Sequence, residues 1–161
     1  MIIVSDTSPI SGLIAIGKLE ILKSVFGEII IPDVVYNEIK AMKELIKSNP
    51  PFENIDWIKI KSIHDYKTFE FLKNQLDEGE AQAITLANEL HSDFLLIDER
   101  KGREVAQAMG IKIIGLIGVL VKAKRENHIQ LVKPILDELI KTGFWIESKL
   151  YTEVIESVNE K

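Results

Sequence analysis

Met1-Ile2-Ile3-Val4-Ser5-Asp6-Thr7-Ser8-Pro9 decides the reading of this chain: a short apolar strand closes on a lone acid, and a helix opens directly behind it. Pro9 stands near the start of that helix, where a missing N–H costs nothing. Asp93-Phe94-Leu95-Leu96-Ile97-Asp98 repeats the pattern, an apolar strand again ending on an acid. In a parallel α/β sheet ligands bind beyond the carboxyl ends of the strands, so these two carboxylates can meet in one crevice. Acids in a crevice with no cation in the local sequence suggest a hard divalent metal.

Outward from those two stretches, strand and helix patterns alternate. Ser8 to Ile16 and Lys18 to Val25 read as helices broken at Gly17, and Glu28 to Ile31 as a second strand. Pro32-Asp33 opens a helix carrying Val34, Val35, Ile39 and Met42 at helical spacing, which Ser48-Asn49-Pro50-Pro51 ends. Trp57 to Lys61 alternates apolar and charged residues as an edge strand does. Helices follow from about Asp65 to Leu76 and about Gly79 to Leu90, then the strand Phe94 to Ile97 and a helix from Arg100 to Met109 with Gly110 as its C-cap. Lys112 to Ile114 is a short strand, Leu116 to Arg125 and Leu131 to Lys141 are helices, and a terminal helix starts near Ser148. The alternation predicts a three-layer α/β/α sandwich with a short, mainly parallel sheet, as a single domain over residues 1–161.

Composition narrows the class. A chain of 161 residues, 46% hydrophobic and 28% charged, has the makings of a sizeable core. The absence of cysteine excludes a disulfide framework, a cysteine nucleophile and thiolate metal sites. With no long apolar run and no signal-type N-terminus, the expectation is a cytoplasmic, unprocessed protein with no membrane segment. A net charge of −5 weighs against a polyanionic substrate. Acids gathered in a metal pocket would reverse that field locally, and Arg100-Lys101-Gly102-Arg103 and Lys122-Ala123-Lys124-Arg125 are local basic clusters.

Four acids recur in comparable settings. Asp6 and Asp98 end strands, Glu38 sits in Val34-Val35-Tyr36-Asn37-Glu38-Ile39, and Glu80 lies near a helix start rich in small residues. Each has a plain structural alternative: Asp6 as a helix cap, Glu38 as a solvated acid beside Lys40 and Lys43, Glu80 as a complement to the helix dipole, Asp98 as a turn or cap residue. Together they point elsewhere, because desolvated adjacent carboxylates must protonate or bind a cation. Oxygen ligands without thiols favour Mg²⁺ or Mn²⁺ over zinc, and two such ions serve phosphodiester hydrolysis.

At this point the chain resembles the PIN-domain family, in its prokaryotic VapC-like subgroup. The resemblance rests on Val4-Ser5-Asp6-Thr7-Ser8-Pro9-Ile10, Ile31-Pro32-Asp33-Val34-Val35-Tyr36-Asn37-Glu38-Ile39, Leu76-Asp77-Glu78-Gly79-Glu80-Ala81-Gln82-Ala83-Ile84 and Leu95-Leu96-Ile97-Asp98-Glu99-Arg100, in that order. It implies a metal-dependent ribonuclease acting on RNA, with Asp6, Glu38, Glu80 and Asp98 as the acidic quartet and Ser8 supporting the first acid. It also implies an antitoxin protein as partner and a homodimer. The chain departs from the family at Glu80, where many members carry aspartate, and Glu78 and Glu99 are neighbouring competitors. Residues from about 143 to 161 look like the extra C-terminal segment of one PIN-like subgroup.

Other candidates are weaker. His64, His91 and His128 lack metal-ligand spacing, Ser5, Ser8 and Ser11 lack a nucleophile elbow, and Gly115-Leu116-Ile117-Gly118 is no phosphate loop. Arg100, Lys101 and Arg103 lie just past Asp98, either to contact substrate phosphates or to form a solvated helix face. Lys122, Lys124 and Arg125 suit a helix C-terminus. Phe144, Trp145 and Tyr151 read as packing or dimer-contact residues rather than base-stacking platforms, and Leu13, Ile16 and Leu22 as core first and dimer face second. The competing functional class is a PIN-like module that binds nucleic acid or protein without turnover.

Overall fold

A computed structural model describes residues 1–42 and 50–161. It runs β1 (Ile3–Ser5), α1 (Thr7–Ala15), α2 (Glu20–Phe26), β2 (Ile29–Pro32), α3 (Asp33–Lys40), a 3-10 turn (Phe52–Asn54), β3 (Ile58–Lys61), α4 (Tyr66–Lys73), α5 (Glu78–Leu90), β4 (Phe94–Leu96), α6 (Arg100–Ala108), β5 (Ile113–Ile114), α7 (Leu116–Arg125), α8 (Lys133–Lys141) and α9 (Ser148–Ser157). The five strands form one sheet in the order β3-β2-β1-β4-β5, every pairing parallel. Helices cover both faces, which makes the three-layer α/β/α sandwich that the alternation predicts.

Strand alternation divides the apolar side chains between two cores. Ile3, Ile29, Ile31 and Leu96 face one side, packing with Leu13, Leu120 and Leu136. Val4, Ile30 and Leu95 face the other, against Phe69, Ile84 and Ala106. A side chain buried this completely contributes about 1.5–3 kcal/mol, and apart from Ser5 the central strands are apolar, as strands covered on both faces are.

The C-terminal stretch belongs to the first core through Val154, Ile155 and Val158. Glu160 fixes its end. Its buried carboxylate accepts hydrogen bonds from Lys124 Nζ at 2.7 Å and from the backbone N–H groups of Val132 and Lys133, both at 2.8 Å. These contacts correct one sequence expectation and add to another. Helix α8 begins at Lys133, not Leu131, because Glu160 takes the N–H groups that precede its first turn. Lys124, which also donates to the Val158 carbonyl at 2.6 Å, ties down the chain end as well as sitting in the last turn of α7.

Most other element ends shift by a residue or two. Helix α3 stops at Lys40, leaving Met42 beyond it but packed on the core, and Ser48 and Asn49 of the expected breaker lie outside the described residues. Gly110 follows α6 with φ 80°, the left-handed conformation that favours glycine at such a position. No helix among the described residues is long and apolar enough to cross a membrane.

Candidate functional site

The chain leaves the sheet centre in one direction through β1, β2 and β3, then returns to place β4 on the other side of β1. Ligands bind at such a reversal point in open α/β sheets. The register sets Ser5 opposite Leu96, and the Asp6 N–H donates to the Leu96 carbonyl at 2.9 Å. Asp6 and Asp98 therefore leave adjacent strands side by side.

Asp6 is buried at 4% exposure and makes no side-chain cap hydrogen bond to α1, so capping does not explain it. Asp98 does cap a helix, though not the one that follows it directly. Its Oδ1 accepts the Leu116 N–H at 2.9 Å, at the first residue of α7. Arg103, half-buried, donates from Nη1 to the Ile97 carbonyl at 2.7 Å, and its positive charge favours the ionised form of Asp98.

The other two acids arrive on helices. Glu38, on α3, accepts the Thr7 hydroxyl at Oε2, 2.6 Å away. Glu80 is the third residue of α5, in a capping box: Asp77 Oδ1 accepts the Glu80 N–H at 2.8 Å, and Glu80 Oε1 accepts the Asp77 N–H at 3.4 Å. The plain helix-start reading of Glu80 thus holds for one of its oxygens. Its Oε2 is buried with no hydrogen-bond partner.

Three glycines make room for these carboxylates. A Cβ on Gly79 would stand 2.6 Å from Glu38 Oε1, one on Gly102 2.7 Å from Glu80 Oε2, and one on Gly115 2.8 Å from Asp98 Oδ1. No side chain other than hydrogen fits at those distances without displacing its neighbour. Backbone thus approaches three of the four acids from three different elements.

Burial holds Asp6, Glu80 and Asp98 towards their neutral forms, and neighbouring carboxylates add to this at Asp6 and Glu80. Burial pushes Asp6 up to about 7; the Thr7 N–H opposes this, and the charges of Asp77, Glu38 and Asp98 add to it. Burial pushes Glu80 up to about 8, with Asp77 adding through its hydrogen bond and charge, and Asp6 through its charge. Burial likewise raises Asp98, opposed by the Leu116 N–H and Arg103. Asp77 acts on both Asp6 and Glu80, and sequence reasoning passed over it. The signal was there in Asp77-x-x-Glu80, an acid three residues ahead of a glutamate at a helix start.

Among the described residues, no three acidic or histidine side chains converge on one ion-sized position. The acids feel one another's charge, but Glu38, Glu80 and Asp98 each spend an oxygen on a hydroxyl or N–H. The donor set still fits a hard divalent cation. It consists of oxygen alone, its Asp6 and Glu80 carboxyls are desolvated and retain their protons, and Glu80 Oε2 is buried without a partner.

The remaining candidates spread outwards. Ser8 is exposed, its carbonyl accepting the Ser11 hydroxyl at 3.2 Å, and it is Thr7 that bonds one of the acids. Arg100 is exposed and pairs with Glu104 at 3.2 Å, and Lys101 is exposed beside it. Glu78 is exposed at the start of α5, and Glu99 at the N-cap of α6. A groove of about 1060 Å³ opens next to the acids, lined among others by Ser8, Asp98, Arg100, Arg103 and Trp145. Of the four acids only Asp98 lines it. His91 caps α5 in the left-handed conformation and His128 lies 3.5 Å from Glu126, both apart from the acids.

A family model for the PIN domain matches residues 2–160, a span that includes all four acids and α9. No curated protein sequence matches the chain.

Proposed function

From the premise that the chain belongs to the PIN-domain family, a nuclease-type fold, we propose that it is a metal-dependent endoribonuclease hydrolysing RNA phosphodiester bonds. The unpartnered, buried Glu80 Oε2 beside a strand-end aspartate pushed up to about 7 is the observation that carries this reading. Carboxylates in that state cost stability unless a cation compensates them.

Asp6, Glu38, Glu80 and Asp98 would hold Mg²⁺ or Mn²⁺. When bound, such an ion supplies Lewis acidity and neutralises charge developing on the phosphate. The protein's own part is positional. Asp98 faces the groove and therefore the substrate side, Thr7 fixes the Glu38 carboxylate, and the capping box fixes Glu80 Oε1, leaving Oε2 free. Arg100 stands on the groove wall where a phosphate would pass, while Arg103 braces the end of β4. In its finer form the reading makes the protein a toxin held by an antitoxin, acting as a homodimer in the cytoplasm.

A second reading, a PIN-like module that binds nucleic acid or protein without turnover, draws on the same side chains. It is favoured by the lack of convergence of any three acids among the described residues. Calorimetric titration with Mn²⁺ separates the two. Binding in the wild type that is lost in folded Asp98→Asn supports the nuclease. No binding at millimolar ion favours the module, and full RNA cleavage by folded Asp6→Asn would overturn the carboxylate mechanism.

A further inference from the structure

We propose that Trp145 is a base-stacking residue that seats a nucleotide of single-stranded RNA in the groove leading to Asp98. The proposal rests on the nuclease reading and deepens it by naming what holds the strand beside the acids. Trp145 is 81% exposed, the most exposed large apolar side chain in the described chain, and it lines the same groove as Asp98 and Arg100. Its ring is the largest apolar surface a side chain can offer a partner, with an N–H at one end.

The local backbone shows that the exposure is built. After α8 the chain turns at Gly143, φ 109°, and the Phe144 N–H returns to the Leu139 carbonyl at 3.0 Å. Phe144 and Ile146 then pack inwards against the first core. With both neighbours anchored on the inside, Trp145 is held facing out, and it cannot fold onto the core without dislodging them. The Glu160 clamp fixes the far end of the same segment.

The groove's charges select the mode of binding. Arg100 and Arg103 on its wall are offset by Asp98, Glu99 and Glu147 on the same wall. Arg100 is already paired with Glu104, and Arg103 is committed to the Ile97 carbonyl. A strand lying here finds no net positive field from these side chains, two cations standing against three acids, so stacking has to carry the affinity. Stacking on one aromatic ring accepts any base and requires an unpaired one.

The chain's two tryptophans make the test direct, since Trp57 is 7% exposed in the core and Trp145 is in the groove. Fluorescence is titrated with a short oligoadenylate in EDTA, then with the same strand annealed to oligouridylate. The expected result is quenching by the single strand, far weaker quenching by the duplex, and a shallow salt dependence. Affinity, read for wild type and variants alike from the anisotropy of a dye-labelled oligoadenylate because the variants lack the reporting ring, should be roughly tenfold lower in Trp145→Ala and close to wild type in Trp145→Phe. Unchanged oligoadenylate affinity in Trp145→Ala overturns the proposal. So does fluorescence that responds to protein concentration and not to RNA, which would assign the ring to a second copy. Mn²⁺ titration and cleavage on the same wild-type sample keep the two readings apart. Quenching without metal binding or cleavage counts against the nuclease alone, and cleavage with an unaltered KM in Trp145→Ala counts against the stacking alone.

Discussion

Gly102 on α6 stands where any Cβ would be 2.7 Å from Glu80 Oε2, so the missing side chain at 102 is what lets that carboxylate sit buried and unpartnered. The same Cβ would also be 2.7 Å from Ile97 Cδ1, leaving no side on which it could relax freely. The glycine is a negative imprint of the acid.

Gly102→Ala should therefore damage the site while every carboxylate stays in the sequence. The expected loss of stability is about 1–3 kcal/mol, typical of overpacking, with Mn²⁺ affinity reduced as Glu80 is pushed aside. Urea denaturation and calorimetry on the same sample check both. An alanine variant that binds the ion as wild type would mean that Glu80 Oε2 is no ligand.

Thr7→Val removes the hydroxyl that holds Glu38 and keeps the side chain's shape. Because Glu38 is only half-buried, the freed carboxylate can rehydrate, and the expected cost is about 1 kcal/mol. RNA cleavage should fall further than stability does, and Thr7→Ser should restore it. Equal cleavage by the valine and wild-type proteins would remove Thr7 from the account.

The raised acids set the sign of the pH dependence. Asp6 moves from 3.8 to about 7 and Glu80 from 4.5 to about 8, so the folded state binds more protons than the unfolded chain between those values. In EDTA, stability should fall as pH rises from about 4 to about 8, and added Mn²⁺ should restore it most at the alkaline end. Asp6→Asn should flatten part of that slope and raise Tm at neutral pH. Thermal melts across pH test this, and a Tm for Asp6→Asn below wild type at pH 8 would contradict the burial argument.

Glu160 has the opposite sign. Burial alone would raise its pKa, but Lys124 and the Val132 and Lys133 N–H groups outweigh burial and hold it below 4.5. Its stabilisation is present above that value and is lost as pH falls through the lowered one. Glu160→Ala should cost about 3 kcal/mol, the order for breaking a buried pair, and should speed hydrogen exchange in α9 before the sheet. A uniform loss of protection across the chain would show that the clamp is not local.

The layer order was legible because each strand is short, apolar and followed by a helix signal; Leu116–Arg125 and the Ser148 start of α9 fall where the pattern puts them. That Asp6 and Asp98 follow neighbouring strands could be read too, since strand ends in a parallel sheet share an edge. What could not be read depends on partners far away in sequence. Lys133 starts α8 because Glu160 reaches it from 27 positions on. Arg103 braces the Ile97 carbonyl where a phosphate contact was one expectation, and the capping role of Asp98 falls on α7, across the sheet edge from α6. Trp145 reads from the sequence as a packing or dimer-contact residue, and only the inward turn of both its neighbours shows that its own fold does not bury it.

The crossing from β3 to β4 has a consequence for synthesis. Asp6 leaves the ribosome first, yet its neighbour strand β4 and the Leu116 N–H that holds Asp98 are made more than half a chain later. A nascent chain halted before α7 carries its acids without the backbone that arranges them. Whatever this site does, it cannot begin until translation has passed Leu116, which separates the moment of making Asp6 from the moment of arming it.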